Sequence, residues 1–307
     1  MRRAFLLSVA LATAGCGQTA APFIGQQTPL THHRVWMDSI AKKVDLLYIS
    51  DGNGEVTVYT YWQKTLVGEL TGFTQPTGEC VDKTGDVFIA DYGAQKVIEY
   101  AHAGKKPIAT IDDSPYAPYA CSVDLATGAL AVANEAGGSS QGNIAVYANA
   151  KATPKLYSVK NIPNFQACAF DNGGNLLASN DQAGSRYANF AWLPKGGSKL
   201  LDVTLPGPEK AWAWDGVDGI QWDGRYFVID DYSLYRESVS NGQGYYIGDT
   251  SLQIAGGQAG PFWIYNIHAN KQGTQVVGAY NDFSSAYVYY WNYPGWRSSR
   301  IYFKGAR

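Results

Sequence analysis

Charge is scarce in this chain: Asp, Glu, Lys and Arg make up 16% of its 307 residues, and His occurs four times. Helices with solvated faces need more charge than this, so a mainly helical fold is disfavoured. With 24 basic against 26 acidic residues the balance attracts neither nucleic acid nor an anionic membrane surface. There is no G-x-S-x-G elbow, no H-E-x-x-H helix and no Gly-rich phosphate loop. His is confined to positions 32, 33, 102 and 268, and nothing proposes a Ser-His-Asp arrangement. Cysteine is limited to four residues, Cys16, Cys80, Cys121 and Cys168, with no C-x-x-C or zinc spacing. What is abundant is Gly (34 residues) together with 22 Tyr and 9 Trp, a profile of short strands and tight turns that predicts an all-β fold.

The first sixteen residues follow a different logic. Arg2 and Arg3 form a positive start, Ala4 to Ala14 is apolar but too short to span a bilayer, and Thr13-Ala14-Gly15 places small residues before Cys16. Residues 1–15 are therefore expected to be a signal peptide. The segment resembles the lipobox of bacterial lipoproteins, departing from it at Thr13, where that family carries Leu, Val or Ile. The resemblance implies lipid attachment, palmitate included, at Cys16, with anchoring by several acyl chains. An ordinary secretory signal cut nearby would use the same small residues. Residues 16–30, rich in Gln, Thr, Pro and Ala, read as a flexible tether. Gly17 is not the Asp that inner-membrane lipoproteins carry, which favours the outer membrane. Beyond the leader three cysteines remain, an odd number, and all three are expected to be buried small hydrophobes.

Self-similarity organises residues 31–307. Apolar strands end in Asp or Asn at Asp51, Asp91, Asn134, Asn180, Asp230 and Asn281, at intervals of 40, 43, 46, 50 and 51 residues. A second strand and a polar turn precede each landmark, as in GECVDKTGD and ACAFDNGGN. In five of the six units a third strand ending in an aromatic follows, at Tyr59, Tyr100, Tyr147, Trp192 and Tyr290. A fourth apolar run closes the unit. Four strands recurring every 40 to 50 residues predict a six-bladed β-propeller with four-stranded antiparallel blades. The first inner strand is expected at His33 to Asp38, and an extended loop or extra hairpin within the irregular fifth unit, Tyr232 to Gly260.

The pattern P-x-G-x-x-V-D-x-x-G-x-V-F-I-A-D in Pro76 to Asp91 resembles the NHL repeat, with the other units as degenerate versions. The likeness specifies architecture far better than activity. Asp218-Gly219-Ile220 with Trp222 and Asp223 is similar, more distantly, to the inner-strand motif of gluconolactonase and regucalcin-like propellers, where the Asp binds a metal.

Propellers bind ligands where their inner strands begin. Counting back from each turn Asp places His33, Thr77, Tyr119, Gln166 and Asp218 at that mouth, with Glu79 two residues beyond Thr77 on the same side of its strand. The gluconolactonase-like resemblance would imply a metal-dependent lactonase or esterase using a divalent cation. His33 and Gln166, however, stand where that family has a Glu and an Asn, so no catalytic residue, metal ligand or cofactor is assigned. The leading expectation is a non-catalytic, monomeric binding module at the cell envelope, with a protein or glycan partner and contact with the membrane through the lipid alone. Tyr232, Tyr235, Tyr245 and Tyr246 fall outside the repeat; they form an exposed aromatic surface or fill an enlarged blade.

Overall fold

The computed structural model describes residues 34–51, 54–137, 141–149, 152–180, 189–206, 217, 219–231, 233–250, 263–270, 273–281, 286–293 and 298–302. All lie in one unit, 31–307. The first sheet holds β1 (Trp36–Met37), β2 (Leu46–Ser50), β3 (Glu55–Thr60) and β4 (Leu66–Thr71). The second holds β5 (Pro76–Val81), β6 (Val87–Asp91), β7 (Lys96–Tyr100) and β8 (Pro107–Asp112). The third follows with β9 (Ala117–Val123), β10 (Leu130–Glu135), β11 (Asn143–Tyr147) and β12 (Lys155–Tyr157). The fourth is β13 (Ala167–Phe170), β14 (Leu176–Ser179), β15 (Phe190–Leu193) and β16 (Leu201–Val203). The fifth is β17 (Gly219–Trp222), β18 (Phe227–Asp231), β19 (Ser233–Ser240) and β20 (Gln243–Thr250). The sixth is β21 (Trp263–Asn270), β22 (Gly273–Asn281), β23 (Ala286–Tyr293) and β24 (Ser298–Tyr302). From the second sheet onward, spatial order follows chain order. Among the described residues no helix is long and apolar enough to cross a membrane.

The hairpin joining first and second strands is built the same way in four sheets. Asp82, Asp124, Asp171 and Asp223 each accept backbone N–H groups of their own turn, as short polar side chains do where the chain reverses. Each turn then passes through a glycine at positive φ: Gly85, Gly128, Gly174 and Gly224. The buried landmark residues also serve the backbone. The Asp91 carboxylate accepts from Thr74 N at 2.9 Å and Gln75 N at 2.8 Å, which fixes the chain where it enters β5.

Side chains alternate along a strand, so the second, third and fourth sheets each offer two apolar faces. Val87 and Ile89 of β6 pack against the first sheet, whereas Phe88 packs against the third. Leu176 and Ala178 of β14 face the third sheet, and Leu177 the fifth. Each of the four core clusters is accordingly an interface between consecutive sheets. The repeating aromatics Tyr59, Tyr100, Tyr147 and Trp192 are all buried, in the packing role their spacing predicts; the side chain of Tyr290 lies outside the described set. Contacts between inner strands run from β2 to β5, β9, β13, β17 and β21 in turn.

Two expectations are corrected. The segment containing Trp36 is not an inner strand: the first sheet is ordered β1-β4-β3-β2, so β1 is outermost and β2 faces β5. In the fifth unit β19 and β20 are eight-residue strands joined by Asn241-Gly242 with φ of 52° and 76°, the two-residue turn that Asn-Gly favours; residues 251–262, where an extended loop or extra hairpin is expected, lie outside the described set. Finally, Cys80 and Cys121 form a disulfide, with Cα atoms 5.6 Å apart, between β5 and β9. The odd number of cysteines beyond residue 30 argued against pairing, but these two meet across two neighbouring sheets. Cys168 alone matches the buried-hydrophobe reading, its thiol pushed up to about 12 by burial.

The strand register suggests where a second bridge would fit. Cys121 Sγ points at the carbonyl of Phe88, whose cross-strand partner is Cys80. Cys168 bonds the backbone of Ala133, whose cross-strand partner is Ala120, and Ala120 packs on the same cluster as Cys168. In protein lacking residues 1–16, Ala120→Cys is therefore expected to oxidise with Cys168. Thiol titration of the denatured variant should find no free thiol, and the free energy of unfolding should rise by up to about 3 kcal/mol. Two free thiols after oxidation would refute the register argument.

Candidate functional site

Antiparallel pairing sets the end of each second strand beside the start of the first. Pro76 pairs with Asp91, Ala117 with Glu135, Ala167 with Ser179 and Gly219 with Asp230. Residues flanking the landmark Asp and Asn positions therefore gather at the mouth. The centre of that gathering is Glu135. Gln166 Nε2 donates to its Oε1, and the Tyr92 hydroxyl donates to its Oε2 at 2.9 Å. One carboxylate thus ties the second, third and fourth sheets together. Burial and the adjacent Glu135 raise the Tyr92 hydroxyl to about 12, which keeps it a neutral donor. The Tyr119 ring meets the Tyr92 ring edge to face at 6.3 Å and is 37% exposed.

The residues expected at the mouth are distributed unevenly. Gln166 and Tyr119 belong to this cluster. Thr77 is a strut: its hydroxyl donates to the carbonyls of Ala90 and Pro118, each at 3.3 Å, linking its sheet to the third. Glu79 does not share its side, as strict alternation would require; it accepts a hydrogen bond from Ser50 of the first sheet. The register of β5 shifts between Pro76 and Glu79, and this bulge re-aims the strand. Gly78 within it lets β5 approach β9, since a Cβ there would lie 2.8 Å from the Tyr119 carbonyl. His33 and Asp218 lie outside the described residues, and the strand expected to bring His33 to the mouth runs at the outer edge of its sheet. Among the described residues no three His, Cys, Asp or Glu side chains converge to hold a metal ion. Cys16 likewise lies outside the described residues.

Counting from turn residues missed Tyr92, Glu135 and Ser50. Each is a direct neighbour of a landmark, Asp91, Asn134 or Asp51, and the antiparallel rule applied to those landmarks would have placed all three at the mouth. The aromatic set divides. Tyr232 lies outside the described residues, and Tyr235 packs on the core between the fourth and fifth sheets. Tyr245 is 46% exposed on β20, and the Tyr246 hydroxyl donates to Asp249 on the same strand.

Glu79 lines the inner wall, and burial raises its carboxyl to about 8 against the opposing pull of Ser50. The folded protein then holds a proton that the unfolded chain releases near 4.5. Stability should fall as pH rises between these values, by at most about 5 kcal/mol, and level off above them. Asp113, raised to about 6 chiefly by burial, adds a similar loss at lower pH. Between pH 6.5 and 8 the slope should therefore belong largely to Glu79, and Glu79→Gln should flatten it and melt higher than the parent at pH 8. Equal slopes in urea titrations of parent and variant would show that the carboxyl ionises normally.

No family model matches the sequence, and no curated protein matches it. Among solved structures the chain is similar to the β-propeller domain of Cps50 (Swd1) from Myceliophteria thermophila, with a TM-score of 0.56 and 12% identity over 89% of this chain and 86% of that one. At that identity the likeness concerns the fold alone. With the stacked four-stranded sheets it makes this protein an all-β β-propeller.

Proposed function

We propose that this protein is an exported lipoprotein, acylated at Cys16 and held at the cell envelope, whose propeller is a ring of six NHL-like blades. In this reading the ring is a non-catalytic module that binds a protein or glycan partner at the mouth where its inner strands begin. The observation that carries the binding role is Glu135, held between Tyr92 and Gln166 beside the exposed ring of Tyr119. A fixed carboxylate beside an aromatic face offers hydrogen-bond acceptors and an apolar platform without side-chain rearrangement, which lowers the entropy cost of association. Six four-stranded sheets, five of them ordered as in the chain and all in contact in sequence order, support the blade count. The Cys80–Cys121 disulfide supports export, because such bonds persist in oxidising compartments.

Two measurements test this reading. Cells fed an alkyne-tagged palmitate should label the parent protein and not Cys16→Ser, and the variant should leave the membrane fraction; label retained on Cys16→Ser would refute acylation at that residue. For the mouth, protein lacking residues 1–16 is titrated against purified envelope glycan and solubilised envelope proteins. Glu135→Ala and Tyr119→Ala should each weaken capture at least tenfold, with Tyr119→Ala leaving the melting temperature unchanged. Capture unaffected by both, and lost with Tyr245→Ala, would move binding to the outer edge of the fifth blade.

A further inference from the structure

The first sheet departs from the others at its inner edge. β2 runs into the landmark Asp51 as β6, β10 and β14 run into Asp91, Asn134 and Asn180. In those three sheets this strand is the second, and β5, β9 or β13 covers its inner side. In the first sheet β2 itself comes last, and among the described residues no strand pairs with its inner edge. The stretch that supplies the inner strand elsewhere is spent at the outer edge here, with Trp36–Met37 paired to β4 and Ser39–Lys43 coiled into one short 3-10 helix against it.

The backbone shows what this edge offers. Asp45 O accepts from Tyr61 N at 2.8 Å, and Asp51 N donates to Glu55 O at 2.9 Å. Alternate residues of β2 therefore bond to β3, and Leu46, Tyr48 and Ser50 turn their N–H and C=O groups inward. At the position of Leu46 the next three sheets carry Asp86, Ala129 and Asn175, whose carbonyls accept from Asp82, Asp124 and Asp171 N at 3.0, 2.8 and 2.9 Å. No described residue donates to the Leu46 carbonyl. Only the Ser50 end is capped, by Glu79 of β5, which accepts from the Ser50 hydroxyl and backbone N–H. Burial records the same difference: Ile89, Val132 and Ala178 are 0% exposed, whereas Ile49, at the same place in β2, is only half-buried.

A row of open N–H and C=O groups is a template for another strand. An extended polypeptide repeats donors and acceptors at the matching interval, which a small ligand does not. Where the third and fourth sheets fill this position they use Ala120-Cys121-Ser122 and Ala167-Cys168-Ala169, all small and uncharged. We infer that the inner edge of β2 binds an extended segment of a partner protein, antiparallel to β2 and carrying small uncharged residues opposite Tyr48, Ile49 and Ser50. Main-chain bonds supply the affinity, and Glu79 reaching across to Ser50 narrows the space available to larger side chains. The edge belongs to the first sheet, apart from the Glu135 cluster of the second, third and fourth, and the inference does not rest on that cluster.

The probe is a fluorescein-labelled peptide copying Ala117–Val123 with Cys121→Ser, the stretch that fills this position in the third sheet. Titrated with protein lacking residues 1–16, it should bind saturably at one site per chain and slow hydrogen exchange at the Leu46 and Tyr48 amides about tenfold. In this pairing the N–H groups copied from Ala120 and Ser122 face β2. N-methylation of both should weaken binding at least tenfold, whereas N-methylation at the positions of Tyr119 and Cys121 should change it less than about twofold. Glu135→Ala and Tyr119→Ala protein should bind the peptide as the parent does. Absence of saturable binding, equal sensitivity to both methylation patterns, or loss of binding in either variant would overturn the proposal. So would binding gained only in protein that begins at residue 34, which would assign the edge to the chain's own N-terminal residues.

Discussion

A four-stranded sheet with two apolar faces cannot be stable alone, and every other feature of this protein depends on that constraint. Val87 and Ile89 are fully buried only because the first sheet covers them, and Leu130 and Val132 because the second does. Each sheet is thus both core and cover for its neighbours, and the stack has no single centre that could be lost independently. At about 25 cal/mol per Å² of apolar surface removed from water, these interfaces supply the dominant favourable term. The buried polar groups decide something else, namely how each sheet is entered. Asp91 holds two consecutive N–H groups ahead of β5, and Tyr147 donates at 2.5 Å to Asp113 in the link from β8 to β9. Their burial leaves water unable to compensate a broken bond, so they fix position more than they add stability.

That division explains what could be read in advance. The apolar runs VFIAD and LAVAN closing on Asp or Asn, the Asp and Gly of the hairpins and the recurring third-strand aromatics are local or periodic signals, and they carried the architecture. The order of the first sheet had no such signal. Trp36–Met37 fits the outer edge against β4 as well as an inner position, and only pairing across the sheet decides. The disulfide was hidden for a related reason. Cys80 and Cys121 are one landmark interval apart, a distance that in a repeat protein places them on neighbouring inner strands, but an odd total argued against pairing.

The candidate site was legible in part because its residues obey two rules at once. Gln166 and Tyr119 follow from counting along the inner strand. Glu135 and Tyr92 follow only from antiparallel pairing, which returns the second strand to the mouth. Glu79 failed the count because the bulge at the start of β5 breaks the period of two on which the count rests. Bulges gather where a strand end must be re-aimed, so simple parity is least dependable at the residues closest to a binding face.

The same inner strands present different chemistry at their two ends, and the reason lies in how each end is built. At the mouth, second strands finish on Ser, Asp, Asn or Glu, and polar groups from three sheets are close enough to satisfy one another, as Tyr92, Glu135 and Gln166 do. At the far end the hairpins turn back on themselves, and each Asp is occupied by its own turn. Carboxylates there are consumed locally, by N–H and hydroxyl groups of the same hairpin. The two ends of one repeat therefore differ in how their polar groups are engaged, because antiparallel strands must end in open pairing at one side and in closed turns at the other.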